Sequence, residues 1–324
     1  MTCNGNPKFS TGGLSRRRLL GLMAGSGAAL VTSGWPLGAA GNTGGEDAQE
    51  MILREIPGTG ERLPAAGMGT YRSFDINRAD TAAMDRMREV LRVFVDGGGR
   101  VVDSSPMYGK SEQVLGELAA DLDATDRLWM ATKVWTRGRA AGVRQMESSL
   151  ELMGKTPLDL MQVHNLLDVD THLETLREWK QRGVIRYIGI THYRAAMHDD
   201  MAKLLQRYPL DFAQFNFNLL DRDAERRLLP ACADLGVATI INEPYAQGRL
   251  FRRIGERPLP GWADEIGCRS WAQIFLKYLI AHPAVTAVIP ATGNPNHARD
   301  NVAAGRGPLP DADLRRRMVR ALDE

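Results

Sequence analysis

Asp103, Tyr108, Lys133 and His164 are side chains whose combination suits proton transfer at a carbonyl. A carbonyl that accepts hydride at carbon needs a proton at oxygen. A tyrosine hydroxyl, with a free pKa of about 10, is a poor acid near neutrality. A neighbouring ammonium favours the phenolate and lowers that value. The expected roles are therefore that Asp103 pairs with Lys133 and holds it, Tyr108 donates the proton, and His164 hydrogen-bonds to the carbonyl oxygen. No ordering of these residues supplies a Ser-His-Asp triad or a metal facial triad, so hydrolysis has little support and no metal site is expected.

The elements that must position these residues are legible as alternation. Short apolar runs, several rich in β-branched residues, occupy 65–70, 100–103, 128–133, 158–164, 186–191, 211–216, 237–242 and 285–290. They read as buried parallel strands. Helical patterns lie between several of them. Residues 80–96 put Met84, Met87, Val90, Leu91, Phe94 and Val95 on one face, and 172–182, 196–206, 223–235 and 270–281 behave similarly. Gly97, Gly183 and Gly236 stand where helices commonly end. Eight strand–helix units predict an α/β fold, a (β/α)8 TIM barrel, as a single domain over 41–324. An open doubly wound sheet would want a G-x-G-x-x-G turn, and Gly67-Met68-Gly69 is not followed by one.

In such a barrel the C-terminal strand ends converge on one mouth. In order they carry Asp103, Lys133, His164, Thr191 with His192, Gln214 with Asn216, and Asn242 with Glu243; Tyr108 sits on the loop after Asp103. A sugar hydrolase would need paired carboxylates there. Only Asp103 and Glu243 qualify, and Asp103 already has Lys133 as a partner.

The stretch Val102-Asp103-Ser104-Ser105-Pro106-Met107-Tyr108-Gly109-Lys110-Ser111-Glu112 resembles the "D-T-A-x-x-Y-G-x-S-E" signature of the aldo/keto reductase family. Ala131-Thr132-Lys133-Val134-Trp135, Leu158 through His164, and Gly183 through Ile190 resemble further motifs of that family in the same order, so the likeness runs over roughly 55–305. It implies NADPH-dependent reduction of an aldehyde or ketone, with NADH as a second option, a monomer, and catalytic roles for the four residues above. It also implies a cofactor site. Gly69-Thr70-Tyr71 and Asp103 would lie on the nicotinamide side, with Thr191, His192 and Gln214 at the carboxamide. Asn242 stands where many members stack a Tyr, and Pro244 follows it. Thr292, His297 and Asn301 fall on the adenosine-phosphate side, where Ala291 and His297 replace a common Lys and Arg and weaken the grip on a 2′-phosphate.

Residues 1–40 have the texture of an address. Ser15-Arg16-Arg17-Arg18-Leu19-Leu20 precedes an apolar, small-residue run to about Val31 and then Pro36-Leu37-Gly38-Ala39-Ala40. That pattern resembles a twin-arginine (Tat) signal and implies export of the folded protein by the twin-arginine machinery to the periplasm, with an uncleaved membrane anchor as an alternative. An exported module that keeps its cofactor for binding or redox sensing, with little turnover, is the competing function.

Lys plus Arg number 41 against 39 Asp plus Glu, a net charge of +2, so nucleic acid is not an expected partner and a small carbonyl compound is. Cys232 and Cys268 lack metal-ligand spacing and read as two buried thiols, with a disulfide between them left open for an exported chain. The apolar-basic stretch from Leu250 to Trp262 reads as a loop over the mouth, Trp135 and Tyr71 as either pocket lining or rim packing, and Arg315-Arg316-Arg317 as a solvated helix face.

Overall fold

A computed structural model describes residues 49–322. The segment read as an export signal lies outside these residues. A hairpin of β1 (Leu53–Glu55) and β2 (Arg62–Pro64) leads into eight parallel strands. These are β3 (Met68–Gly69), β4 (Val101–Asp103), β5 (Trp129–Val134), β6 (Leu158–His164), β7 (Ile185–His192), β8 (Phe212–Asn216), β9 (Ala238–Asn242) and β10 (Ala287–Val288). They follow one another in space as in sequence, and parallel bridges Ala66–Val288 and Gly69–Ala291 close β10 onto the β3 segment. The result is the expected (β/α)8 barrel.

Gly69 shows why the closure needs a glycine. Its N–H donates to the Pro290 carbonyl at 3.1 Å, and a Cβ on it would lie 2.9 Å from the Ile289 carbonyl oxygen. The two chains approach too closely there for any side chain.

Helices α1 (Thr81–Asp96), α2 (Ser111–Asp121), α3 (Arg139–Met153), α4 (Val169–Gln181), α5 (His198–Arg207), α6 (Leu228–Leu235), α7 (Arg249–Ile254), α8 (Trp271–Ile280), α9 (Pro295–Ala303) and α10 (Ala312–Arg320) accompany the strands. Asp80 caps α1 by accepting from Ala83 N–H at 3.0 Å, and Met87, Val90, Leu91 and Phe94 form its buried stripe. Gly97 ends this helix as expected but in right-handed backbone; the left-handed residue is Gly98, at φ 87°.

Two apolar layers result. One fills the space between helices and sheet. The other lies inside the barrel, where Val101, Trp129, Leu160, Tyr187, Phe212 and Ala238 from the first halves of their strands pack with Ile56 and Leu63 of the hairpin. The barrel floor is thus plugged, which leaves the opposite mouth for chemistry. The sequence pattern does not predict the hairpin, whose three-residue strands are too short to show alternation.

Two other expectations change. Leu250 to Trp262 is not a loose cover: α7 occupies its first part, Leu250 and Trp262 are buried, and Phe251 packs on Tyr245 and Phe275 with ring centres 5.0 and 5.5 Å apart. Arg315 is not solvated like Arg316 and Arg317. It donates to the Tyr278 carbonyl at 3.1 Å, pairs with Glu225 at 2.5 Å and lies over the Tyr278 ring. Cys232 and Cys268 are buried free thiols, each pushed up to about 12, in both cases chiefly by burial. Among the described residues no helix is long and apolar enough to cross a membrane.

Candidate active site

β4, β5 and β6 end at successive positions around the mouth, so the side chains of Asp103, Lys133 and His164 meet there. Lys133 Nζ lies 2.6 Å from Asp103 Oδ2 and also donates to the Ser104 carbonyl at 2.5 Å. Both partners of the ion pair are buried. The other carboxylate oxygen of Asp103 accepts from Gln214 Nε2 at 2.8 Å and Gln162 Nε2 at 3.3 Å. Thr191 Oγ1 in turn donates to Gln214 Oε1 at 3.1 Å. A charged pair at this depth is tolerated only when its remaining hydrogen-bonding capacity is met, and here the Ser104 carbonyl, Gln214 and Gln162, three protein groups, bond to it.

Tyr108 reaches the pair from the loop after β4, with Lys133 Nζ 5.1 Å from its ring centre. Its ring stands edge-on to His164 at 6.0 Å and tilted against Tyr71 at 5.0 Å. His164 is flanked on another side by Trp135 at 6.4 Å, and its Nδ1 lies 3.0 Å from Ser105 Oγ. All four residues expected to do chemistry are thus brought together.

The electrostatics depart from the simple expectation for Tyr108. Burial pushes its hydroxyl above the ordinary tyrosine value, and the Lys133 ammonium offsets only part of that. The reason is depth: removing water penalises the phenolate more than one ammonium, itself neutralised by Asp103, can repay. Tyr108 is therefore a neutral O–H at working pH. For Lys133, burial acts to lower the value but the charges of Asp103 and Tyr108 outweigh it, so it stays an ammonium. His164 is lowered to about 2, first by burial and then by Lys133 and His192, so its ring is neutral.

The residues expected at a cofactor are distributed along the rim. Thr70 is buried, donating to Ser104 Oγ at 2.9 Å, while Tyr71 is half exposed over Tyr108. Thr191 and Gln214 join the Asp103 network, and His192 accepts from the Arg194 N–H through Nδ1 at 3.0 Å and stacks on Tyr193. Asn242 is half-buried at the end of β9, its Oδ1 shielded from solvent and without a hydrogen-bond partner. Pro244 is buried in the following loop, where Glu243, Ala246 and Gln247 take left-handed backbone. Thr292 and exposed His297 stand at the start of the last rim segment. Asn301 is buried on α9 and accepts from the Tyr245 hydroxyl at 2.5 Å. Of these rim positions, Gln214 bonds to the Asp103 carboxylate and Thr70 donates its backbone N–H to the Asp103 carbonyl at 3.0 Å.

Sequence reasoning did not single out Ser104, Ser105, Gln162 or Tyr245 as site residues. Ser104 and Ser105 follow Asp103 directly, and a polar pair after a strand-end carboxylate is the signal that would have found them.

The comparisons agree with this geometry. Residues 66–318 match the model of the family described as "Aldo/keto reductase family". The chain belongs to the aldo/keto reductase family. It is 26% identical to the aldo-keto reductase YhdN of Bacillus subtilis over 64% of this chain and just under two thirds, 66%, of that protein. It is also 26% identical to the NADH-specific methylglyoxal reductase of Escherichia coli, over 84% of this chain and 100% of that one. A solved aldo-keto reductase from Klebsiella pneumoniae in complex with NADPH superposes with a TM-score of 0.69 at 24% identity, covering 85% of this chain and 95% of its own.

Proposed function

We propose that this protein reduces an aldehyde or ketone to the alcohol, taking hydride from NADPH, with Tyr108 as the general acid. The observation that carries the reading is the buried Lys133–Asp103 pair set beside a neutral Tyr108 and a neutral His164. Tyr108 holds a proton for the oxygen that becomes the alcohol. Lys133 stabilises negative charge as it develops on Tyr108, and Asp103 keeps Lys133 in place. His164, uncharged, hydrogen-bonds to the carbonyl oxygen without competing as an acid. Tyr71 and Trp135, exposed beside Tyr108 and His164, favour a flat, apolar or aromatic body on the substrate.

The residues present fit a nicotinamide dinucleotide. Thr191, Gln214 and Asn242 are neutral hydroxyl and amide groups on neighbouring strand ends, and the unpartnered Asn242 Oδ1 is an acceptor suited to a carboxamide N–H. When bound, that cofactor supplies the hydride. The Klebsiella structure contains NADPH and the E. coli relative is named for NADH, so NADH is the alternative here, with Ala291 and His297 in favour of it.

Purified protein given NADPH and an aromatic aldehyde should oxidise the cofactor, and Tyr108→Phe should slow this by about 10²–10⁴-fold. Undiminished turnover in Tyr108→Phe would remove the assignment. Mass spectrometry of any nucleotide that co-purifies decides between NADPH and NADH.

The Ser15–Val31 segment supports a further proposal, that the protein is exported by the twin-arginine machinery, folded and carrying its cofactor. Replacing Arg16 and Arg17 by Lys should hold it in the cytoplasm in a fractionation assay. If the exported form binds one nucleotide and completes a single turnover only, the cofactor-binding, redox-sensing reading is the better one.

A further inference from the structure

We propose that Ser105 is a positioning residue that fixes the tautomer of His164, keeping the ring proton on Nε2. A neutral imidazole has one N–H and one lone pair, and nothing in the ring alone decides strongly which nitrogen carries the proton. His164 Nδ1 lies 3.0 Å from Ser105 Oγ, and both side chains are buried. Two arrangements satisfy that contact: Nδ1–H donating to the hydroxyl, or the hydroxyl donating to a bare Nδ1.

The surroundings of Ser105 decide between them. Its oxygen already accepts from the Met107 backbone N–H at 3.4 Å. Were it to accept from Nδ1–H as well, its own O–H would need another acceptor, and His164 and Met107 are its only hydrogen-bond partners among the described residues. A buried donor left unmade costs about 1–3 kcal/mol. With Ser105 Oγ–H donating to Nδ1 instead, the hydroxyl and Nδ1 are both satisfied, and the proton sits on Nε2, across the ring from Ser105. His164 then presents an N–H on that far edge and not a lone pair.

The adjoining residue reinforces the arrangement. Ser104, whose carbonyl holds Lys133, has its hydroxyl occupied by Thr70, so the two serines after Asp103 fix the ammonium and the imidazole from one rigid turn. An N–H at Nε2 can donate to a carbonyl oxygen and strengthens as negative charge develops there; a lone pair would repel it. This role in turnover rests on the carbonyl-reductase reading, but the tautomer does not.

The test is long-range ¹H–¹⁵N correlation NMR on the uniformly labelled full chain, with His164 assigned by comparison with His164→Gln. The expected spectrum has a protonated Nε2 and an unprotonated Nδ1 for His164; the reverse pattern overturns the proposal whether or not the protein reduces any carbonyl. In Ser105→Ala the two tautomers should mix, and kcat should fall about tenfold while the dissociation constant of NADPH stays unchanged. Ser105→Thr, which keeps the hydroxyl, should restore both the single tautomer and most of kcat. A single Nε2–H tautomer in Ser105→Ala with wild-type kcat would also overturn it. Should Ser105→Ala not fold, the wild-type spectrum decides alone.

Discussion

Lys133 and Asp103 face each other across 2.6 Å with 0% and 3% of their side chains open to solvent. Such a pair gives little net stability, because two desolvation penalties offset the attraction, yet breaking it leaves one buried charge uncompensated. Lys133→Met or Asp103→Asn alone should cost about 3–5 kcal/mol of stability. The double variant should lose less than the sum of the two. Urea midpoints combined in a double-mutant cycle measure this, and additive losses would show that the two charges do not interact.

The pH dependence of turnover should be flat where a simpler site would titrate. His164 is lowered to about 2 and Tyr108 is raised above 10, so neither changes charge between pH 5 and 9. At saturating cofactor, kcat for reduction should show no inflection near 6.5. An inflection there that vanishes in His164→Gln would mean that His164 titrates normally.

The same shift has a consequence for stability, with a definite sign. His164 is lowered in the folded state from 6.5 to about 2. The unfolded chain therefore binds the extra proton first, so stability from this group is complete above about 6.5 and is lost as pH falls toward 2. His192, His198 and His282, also lowered chiefly by burial, act in the same direction. His164→Gln should flatten the loss of unfolding free energy between pH 6 and 4 by up to about 1.4 kcal/mol per pH unit. An unchanged slope in denaturant titrations across that range would show that His164 is not held neutral.

The barrel and its four central residues were legible because both rest on local signals. β5 and β6 are buried along their whole length and mostly apolar, with Lys133 next to last in the first and His164 last in the second, and the closed parallel topology then leaves those ends one place to meet. What escaped depends on distance and depth. The sign of the Tyr108 shift is set by how much water the fold removes, which no spacing reveals. The tie of Arg315 to Glu225 and Tyr278 links residues 90 and 37 positions apart, so a run of three arginines reads as one solvated face until the fold separates them. Ser105 escaped because its partner, His164, is 59 residues away.

Lys277, on α8, is a buried ammonium outside the active site. It donates to the carbonyls of Ile266, Arg306 and Pro308 at 2.7, 2.6 and 2.8 Å and so joins the turn before α8 to the chain after α9. Burial lowers its pKa. Lys277→Met keeps the bulk and removes all three donors, and each orphaned carbonyl costs about 1–3 kcal/mol where water does not reach it. Thermal unfolding should shift down by a corresponding loss of at least about 2 kcal/mol. Turnover per folded molecule should stay at the wild-type level, and a selective loss of turnover would place Lys277 in communication with the mouth.

Gly69 separates a structural from a functional demand. The family resemblance makes it a place where backbone approaches the cofactor, while the barrel makes it the seam between β3 and the chain after β10. An added Cβ would sit 2.9 Å from the Ile289 carbonyl oxygen, a backbone atom that does not swing aside. Gly69→Ala should therefore force the seam open and cost about 1–3 kcal/mol of stability, as overpacking elsewhere does. Chemical denaturation with no nucleotide present reads that cost directly, and NADPH titration by fluorescence reads any effect on the cofactor. Full stability with weakened NADPH binding would assign the glycine to the cofactor alone; lost stability in the absence of nucleotide would assign it to closure of the barrel.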